Sequence, residues 1–263
     1  MNATRGEEQP AGSDPRELDE HRAEDDDLRS SVASLATLAT GSLRLEDTLT
    51  AVAHLAVRAI PGADGAGLTL IEQNHSDTVV TTAPFVREVD DIQYGIGQGP
   101  CISAARDGKT VRSGSLGGDR RWPQFGSRVA RLGVHSAVSL PLLTASGVVG
   151  ALNVYAHAKH VFDDRAAELG ELFAVPAAIA VQNAQILAEA QRLSAQLHRA
   201  LETRAVVDRA VGIVMSRSGG TEEQALARLR TLSQHEHQKL TQIAQKIVDE
   251  AVRRAESRRA RKP

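Results

Sequence analysis

A chain of 263 residues with 41% hydrophobic residues can bury a sizeable core, and a change of texture about two thirds of the way along divides it into a medium domain and a small one. Aromatics are only 3%, so the core is built from Ala, Val, Leu and Ile, and the single cysteine, Cys101, excludes an internal disulfide and a cysteine-based structural zinc site. The net charge of -2 conceals segregation: residues 1–30 hold ten acids against four bases, and residues 192–263 hold fifteen bases against eight acids.

Residues 1–30 are acidic and poor in apolar residues, so they read as a disordered acidic tail. No basic start followed by an apolar stretch is present, and runs such as "SAVSLPLL" and "GVVGALNVY" are too short to span a bilayer, which points to a cytoplasmic protein with no membrane partner. Leu35, Leu38, Leu45, Leu49, Val52, Leu55 and Ile60 then recur near helical spacing until Pro61-Gly62, predicting one or two opening helices. The runs "AGLTLIE", "TVVTTA", "HSAVSLPLL" and "GVVGALNVYA" follow as strands, the last two joined by a turn at Ala145-Ser146-Gly147. The expectation is α+β: a mainly antiparallel sheet flanked by helices.

Between the second and third strands lies a glycine-rich, irregular segment from Tyr94 to Val134, of the kind that covers a binding site on a rigid sheet. The motifs "GQGPC", "RRWPQF", "GVHSAVSLPLL" and "GVVGALNVYAHAKHVFDD", in that order, make residues 31–185 resemble a GAF domain, a small-molecule sensor module. Three residues are candidates for its ligand site. Cys101 stands before a short helical run that would lower a thiol pKa, or else is simply packed. Arg121 is placed to receive an anionic group. Trp122 either walls a pocket or plugs the core edge. His54, His75, His135, His157 and His160 show no ligand spacing, so neither metal nor cofactor is expected, and His54 reads as a packed histidine.

Asp163 is placed to cap the closing helix, and Pro176 predicts a kink or short break in it. Beyond the proline, Ile186, Ala190, Leu193, Leu197 and Ala200 alternate spacings of four and three, giving residues 186–200 the seam of a coiled-coil linker. A homodimer seam and a helix packed on its own domain both satisfy this pattern.

Helical signals in the last third are cleaner. One helix ends at "SRSGG"; Thr221 and Gln224 form a capping box for a second, with Ala225, Leu226, Leu229 and Leu232 inward; a third presents Leu240, Ile243, Ala244, Ile247, Val248 and Ala251. Through "ALETRAVVDRAVGIVMSRSG", "TEEQALARLRTLSQ" and "KLTQIAQKIVDEA", residues 196–256 resemble an ANTAR domain. The resemblance implies a transcription antiterminator that binds paired hairpin loops in nascent transcripts, usually as a dimer. The sequence departs from that family at Arg209, commonly an amide residue there, and at His237, commonly Asn.

Splayed bases and phosphates suit guanidinium, amide and hydroxyl groups on an exposed helix face, so Arg204, Asp208, Arg209, Arg230, Ser233, Gln234 and Lys239 are the candidate RNA contacts. The terminal "RRAESRRARK", which runs into a basic tail over residues 257–263, adds phosphate attraction or solubility. The whole reads as an all-α three-helix ANTAR-like domain joined by a long helix to the GAF-like sensor, not an enzyme, whose signal is a small molecule or a protein. The alternatives are a DNA-binding regulator, since three small basic helices also describe helix-turn-helix units, and a methionine sulfoxide reductase, for which Cys101 lacks a resolving partner.

Overall fold

Period-two alternation of apolar and small polar residues builds the first unit. The computed structural model describes residues 15–40, 43–72 and 75–259. Five strands, β1 (Gly65–Glu72), β2 (His75–Thr81), β3 (Val111–Ser113), β4 (Ser136–Thr144) and β5 (Gly147–Ala156), make one antiparallel sheet in the order β2-β1-β5-β4-β3. Thr144 pairs with Gly147 across Ala145-Ser146, giving the predicted hairpin. Leu68, Val138, Leu140, Leu142, Leu152 and Val154 enter one core. Because side chains alternate across a strand, Thr69, Ser139, Asn153 and Tyr155 occupy the other face, where they too are buried.

The apolar face is covered by α2 (Leu45–Ala59) and by the first part of α6 (Asp164–Ser218), whose Leu169, Phe173, Ala177, Ala178 and Val181 join that core. Over the polar face lie α3 (Pro84–Ile96), α4 (Pro100–Asp107) and α5 (Pro123–Val129), each starting with a proline at the position where the missing N–H has no helical partner to lose. The glycine-rich segment is therefore more ordered than its composition suggests, with β3 and two helices inside it.

Three expectations about the first unit need correction. Residues 15–30 are not disordered: α1 (Pro15–Thr40) is helical and buries Leu28 and Leu35 in the sheet core, while Glu24 and Asp25 pair with Arg165 of α6. Averaged composition hid the spacing of Leu28, Val32 and Leu35, which sets one face of a helix. The rest of the supposed tail, residues 1–14, lies outside the described residues. Of the two outcomes expected at Pro176, a kink or a short break, the break does not occur, since α6 continues through it. Phe173, Ala177 and Ala178 anchor both sides of the proline, and Leu172, whose carbonyl loses its partner, belongs to the outward face at 54% exposure. His54 is likewise exposed rather than packed.

The chain divides into two compact units at Ala188/Glu189. In the second, the last part of α6 packs with α7 (Glu222–His235) and α8 (Leu240–Arg259) around Ala210, Val211, Ala225, Leu229, Ile243, Ala244 and Val248. Gly219 takes the left-handed backbone conformation (φ 69°) that ends α6. Thr221 and Gln224 form the expected capping box, and Asp163 accepts from the Ala166 N–H at 2.8 Å at the start of α6. Leu232, expected inward, is exposed; Ser233, four residues after Leu229, takes the half-buried position instead.

Among the described residues, α6 is long and apolar enough, by length and composition, to cross a membrane, with one third of that window buried. Its apolarity has two sources: the face on the sheet, and an outward stripe of Leu172, Val175, Ile179 and Ile186 in the first unit and Leu193, Leu197 and Leu201 in the second.

Because Leu35 is fully buried, Leu35→Ala is expected to destabilise the first unit by about 2–5 kcal/mol. Urea unfolding of the full chain checks this, and an unchanged midpoint would mean that α1 does not pack on the core.

Candidate functional site

The three-helix unit carries its chemistry on the outside. Arg204 and Asp208 stand one turn apart on α6 as an exposed ion pair at 3.6 Å, too weak in water to withhold the guanidinium from a ligand. Arg230 and Gln234 lie one turn apart on α7, both exposed, and Arg230 has no side-chain partner among the described residues. Lys239 is exposed immediately before α8, where its N–H donates to Gln242 Oε1 at 3.2 Å.

Ser233 serves the fold: its half-buried hydroxyl donates to the Gln238 carbonyl at 2.6 Å and holds the α7–α8 turn. His237 sits in that turn with φ 52°, in the left-handed region. Histidine tolerates this conformation less well than asparagine. The departure from the family residue therefore falls on a backbone constraint.

Arg209 does not share a face with Arg204. Five residues apart, they point about 140° apart around the helix. Arg209 instead lines a groove of about 610 Å³ between α6 and α8, together with Arg217 and Arg254. Arg217 was not among the sequence candidates, and Arg254 entered only as part of the basic terminus "RRAESRRARK". The signal available was the placement of Arg209, Gly212, Ser216 and Arg217 on adjoining helical positions.

In the first unit, Arg121 and Trp122 line a cavity of about 460 Å³ with Gly99, Ile102, Ser103 and Gln98. Trp122 also closes the core edge: it is 5% exposed, packs among Leu116 and Phe125, and donates from Nε1 to Ser103 Oγ at 3.1 Å. Arg121 is already committed. It stacks 4.3 Å from the centre of the Trp122 ring, forks onto Asp119, and donates to the Arg112 carbonyl. The Arg121 guanidinium, helped by Ser113, holds the Asp119 carboxyl down to about 2. This compensated charge makes Arg121 a wall and a clamp rather than a free anion receptor. Gln98 Oε1, buried in the same region, has no hydrogen-bond partner.

Cys101 lies outside the lining of that cavity, 1% exposed, in the buried polar layer. Its Sγ meets Tyr94 OH at 3.1 Å, Tyr94 OH meets Thr69 Oγ1 at 2.6 Å, and the Cys101 N–H donates to Gln93 Oε1 at 3.0 Å. Beside it Tyr155 donates to Asp90 at 2.6 Å, and Ser139 donates to Asn153 at 3.0 Å. Burial first, then the nearby Asp90 charge, pushes the Cys101 thiol up to about 11. Of the two readings open for Cys101, its burial matches the packed one, and desolvation overrides the activation that a helix start could give. Among the described residues, no three His, Cys, Asp or Glu side chains converge as metal ligands would.

Two predictions follow from these environments. Iodoacetamide should label Cys101 at least about 100-fold more slowly at pH 8 in the folded protein than in urea, because little thiolate forms; comparable rates would return it to the sensor site. With the folded pKa raised, the thiol's contribution to stability is complete below the unfolded value near 9 and declines as pH rises through about 11. Separately, His237→Gly should raise the melting stability of the second unit by about 1 kcal/mol, and a loss would show that the imidazole makes a needed contact.

A family model described as a GAF domain matches residues 42–182, and one described as an ANTAR domain matches residues 195–248. No curated protein matches the chain. Similar solved structures include a free methionine-R-sulfoxide reductase from Neisseria meningitidis, at 16% identity over 60% of this chain and 90% of that one, with a TM-score of 0.46. Others are the GAF domain of an Acinetobacter phosphoenolpyruvate-protein phosphotransferase (14% identity, 66% of this chain, 97% of that one, TM-score 0.45) and a protein described as a GAF sensor from Burkholderia vietnamiensis (15%, 63%, 98%, TM-score 0.47).

Proposed function

Since the chain belongs to the GAF domain family and carries an ANTAR domain after it, we propose that it is a cytoplasmic, signal-responsive transcription antiterminator that binds paired hairpin loops in nascent transcripts. The observation that carries this reading is the ANTAR match over a three-helix unit whose exposed surface offers Arg204, Arg230, Gln234 and Lys239. The unit contains no Phe, Tyr or Trp, so splayed bases stack on guanidinium planes or imidazoles. The signal is a small polar molecule or a protein at the first unit, and the cavity beside Trp122 with the unpartnered Gln98 Oε1 favours the former. Such a signal acts by binding one conformation of the regulator more tightly than another; the protein itself performs no chemistry on it.

The active form is a homodimer. Its support is the outward apolar stripe: Leu193, Leu197 and Leu201 are 51%, 57% and 65% exposed on α6, and Leu193 stands seven residues from Ile186, the repeat of a coiled-coil seam. Leu193→Glu combined with Leu197→Glu should convert the dimer to monomer at micromolar concentration in sedimentation velocity. A wild type that is already monomeric there removes the dimer from this account.

The test of the RNA reading is one competition assay with paired-hairpin RNA, single-hairpin RNA and duplex DNA of equal length, at two salt concentrations. Paired hairpins should compete best at both, and Arg204→Ala should reduce the preference for cognate over scrambled hairpins by about 1–3 kcal/mol. If duplex DNA competes equally well at both salts, the protein is a DNA-binding regulator instead.

A further inference from the structure

The groove between α6 and α8 is basic and open among the described residues. Arg209, Arg217 and Arg254 line it, and among the described residues no acidic side chain does. Apart from Ile213 the rest of the wall is small: Gly212 and Ser216 one turn apart on α6, Ala251 and Ala255 one turn apart on α8. A partner can therefore approach both helix surfaces closely while three guanidinium groups surround it.

Gly212 gives an independent indication. A glycine inside a helix weakens it relative to alanine, so it needs a reason. The usual two are absent here: Gly212 has no positive φ, and a Cβ built on it would meet nothing within 4 Å. Nothing among the described residues needs the missing methyl group. An occupant of the groove would.

The three guanidinium groups are available. Arg217 has no side-chain partner among the described residues. Arg209 uses only Nε, donating to the Ala205 carbonyl at 3.1 Å. Arg254 pairs with Glu250 on its own helix at an exposed site, an interaction that water screens and a phosphate can replace. Guanidinium forks match phosphate oxygens bidentately, and no aromatic ring lines the groove on which a base would stack.

We infer that this groove is a channel for the sugar–phosphate backbone of RNA, distinct from the surface of Arg204 and Arg230 that reads the loop. The inference rests on the RNA-binding reading above. It divides the labour of the domain: one surface discriminates sequence, and the groove supplies affinity independent of sequence.

The full chain and the variants Arg217→Gln, Arg254→Gln and Gly212→Leu are titrated with fluorescent cognate and scrambled hairpin RNA from 50 to 300 mM salt, with a decaglutamate peptide as a third probe. Each arginine variant should weaken both RNAs alike, by about three- to tenfold, and reduce the slope of log affinity against log salt by about 0.7–0.9. Gly212→Leu keeps every charge and fills the floor, so it should weaken both RNAs while circular dichroism stays unchanged. Wild-type RNA binding with unaltered affinity and salt slope in all three variants overturns the groove and leaves the loop-reading surface standing. Groove-dependent binding of the peptide without groove-dependent binding of RNA overturns it in favour of an acidic protein partner. If the wild type binds neither RNA, the RNA reading fails and takes the groove with it.

Discussion

One helix has to satisfy two cores. The first part of α6 presents Phe173, Ala177, Ala178 and Val181 to the sheet, and its last part presents Ala210 and Val211 to the three-helix unit. Neither core closes without it. In the first unit α6 and α2 are the cover for the apolar face of the sheet, and in the second Ala210 and Val211 meet Leu229 and Ile243. Small residues are prominent in these contacts, and the packing on both sides of Pro176 carries the helix through a lost hydrogen bond. The outward apolar side chains of α6, Leu172, Val175, Ile179, Ile186, Leu193, Leu197 and Leu201, are exposed among the described residues, and they form the stripe proposed to meet a second copy.

The other face of the sheet follows a different rule. Thr69, Ser139, Asn153 and Tyr155 are buried yet polar, and α3 and α4 answer them with Asp90, Gln93, Tyr94 and Cys101. Buried polar groups that find partners specify one arrangement and penalise others. This layer therefore fixes where α3 and α4 sit, and with them the cavity beside Trp122. Cys101 belongs to that layer. Its raised pKa is a consequence of position, and it argues for a ligand site formed by shape and by Gln98 rather than by a reactive thiol.

Much of this was legible in the sequence because it depends on local rules. The hairpin turn, the Asp163 cap, the Thr221 capping box and the Gly219 stop each need only a few neighbouring residues. What was not legible depended on distant partners. The acids of α1 look like a solvated tail until Arg165 is found opposite them, and Pro176 looks like a break until the sheet is seen to hold both sides. Leu232 and Ser233 exchange expected roles because the α7–α8 turn needs the hydroxyl. Among the proposed RNA contacts, the chain alone could not separate Arg204 from Arg209, although helical geometry puts them on different sides. Arg217 and Arg254 acquire meaning only when α6 and α8 are seen together.

The central claim is that the C-terminal unit engages structured RNA in the cell. Sequencing of RNA crosslinked to the full-length protein tests it most directly. The account predicts crosslinks concentrated on pairs of short hairpins that precede or overlap terminators, and their loss when Arg204 and Arg230 are both replaced by alanine. Crosslinks spread over transcripts without regard to hairpins, and unchanged by that double substitution, would contradict it.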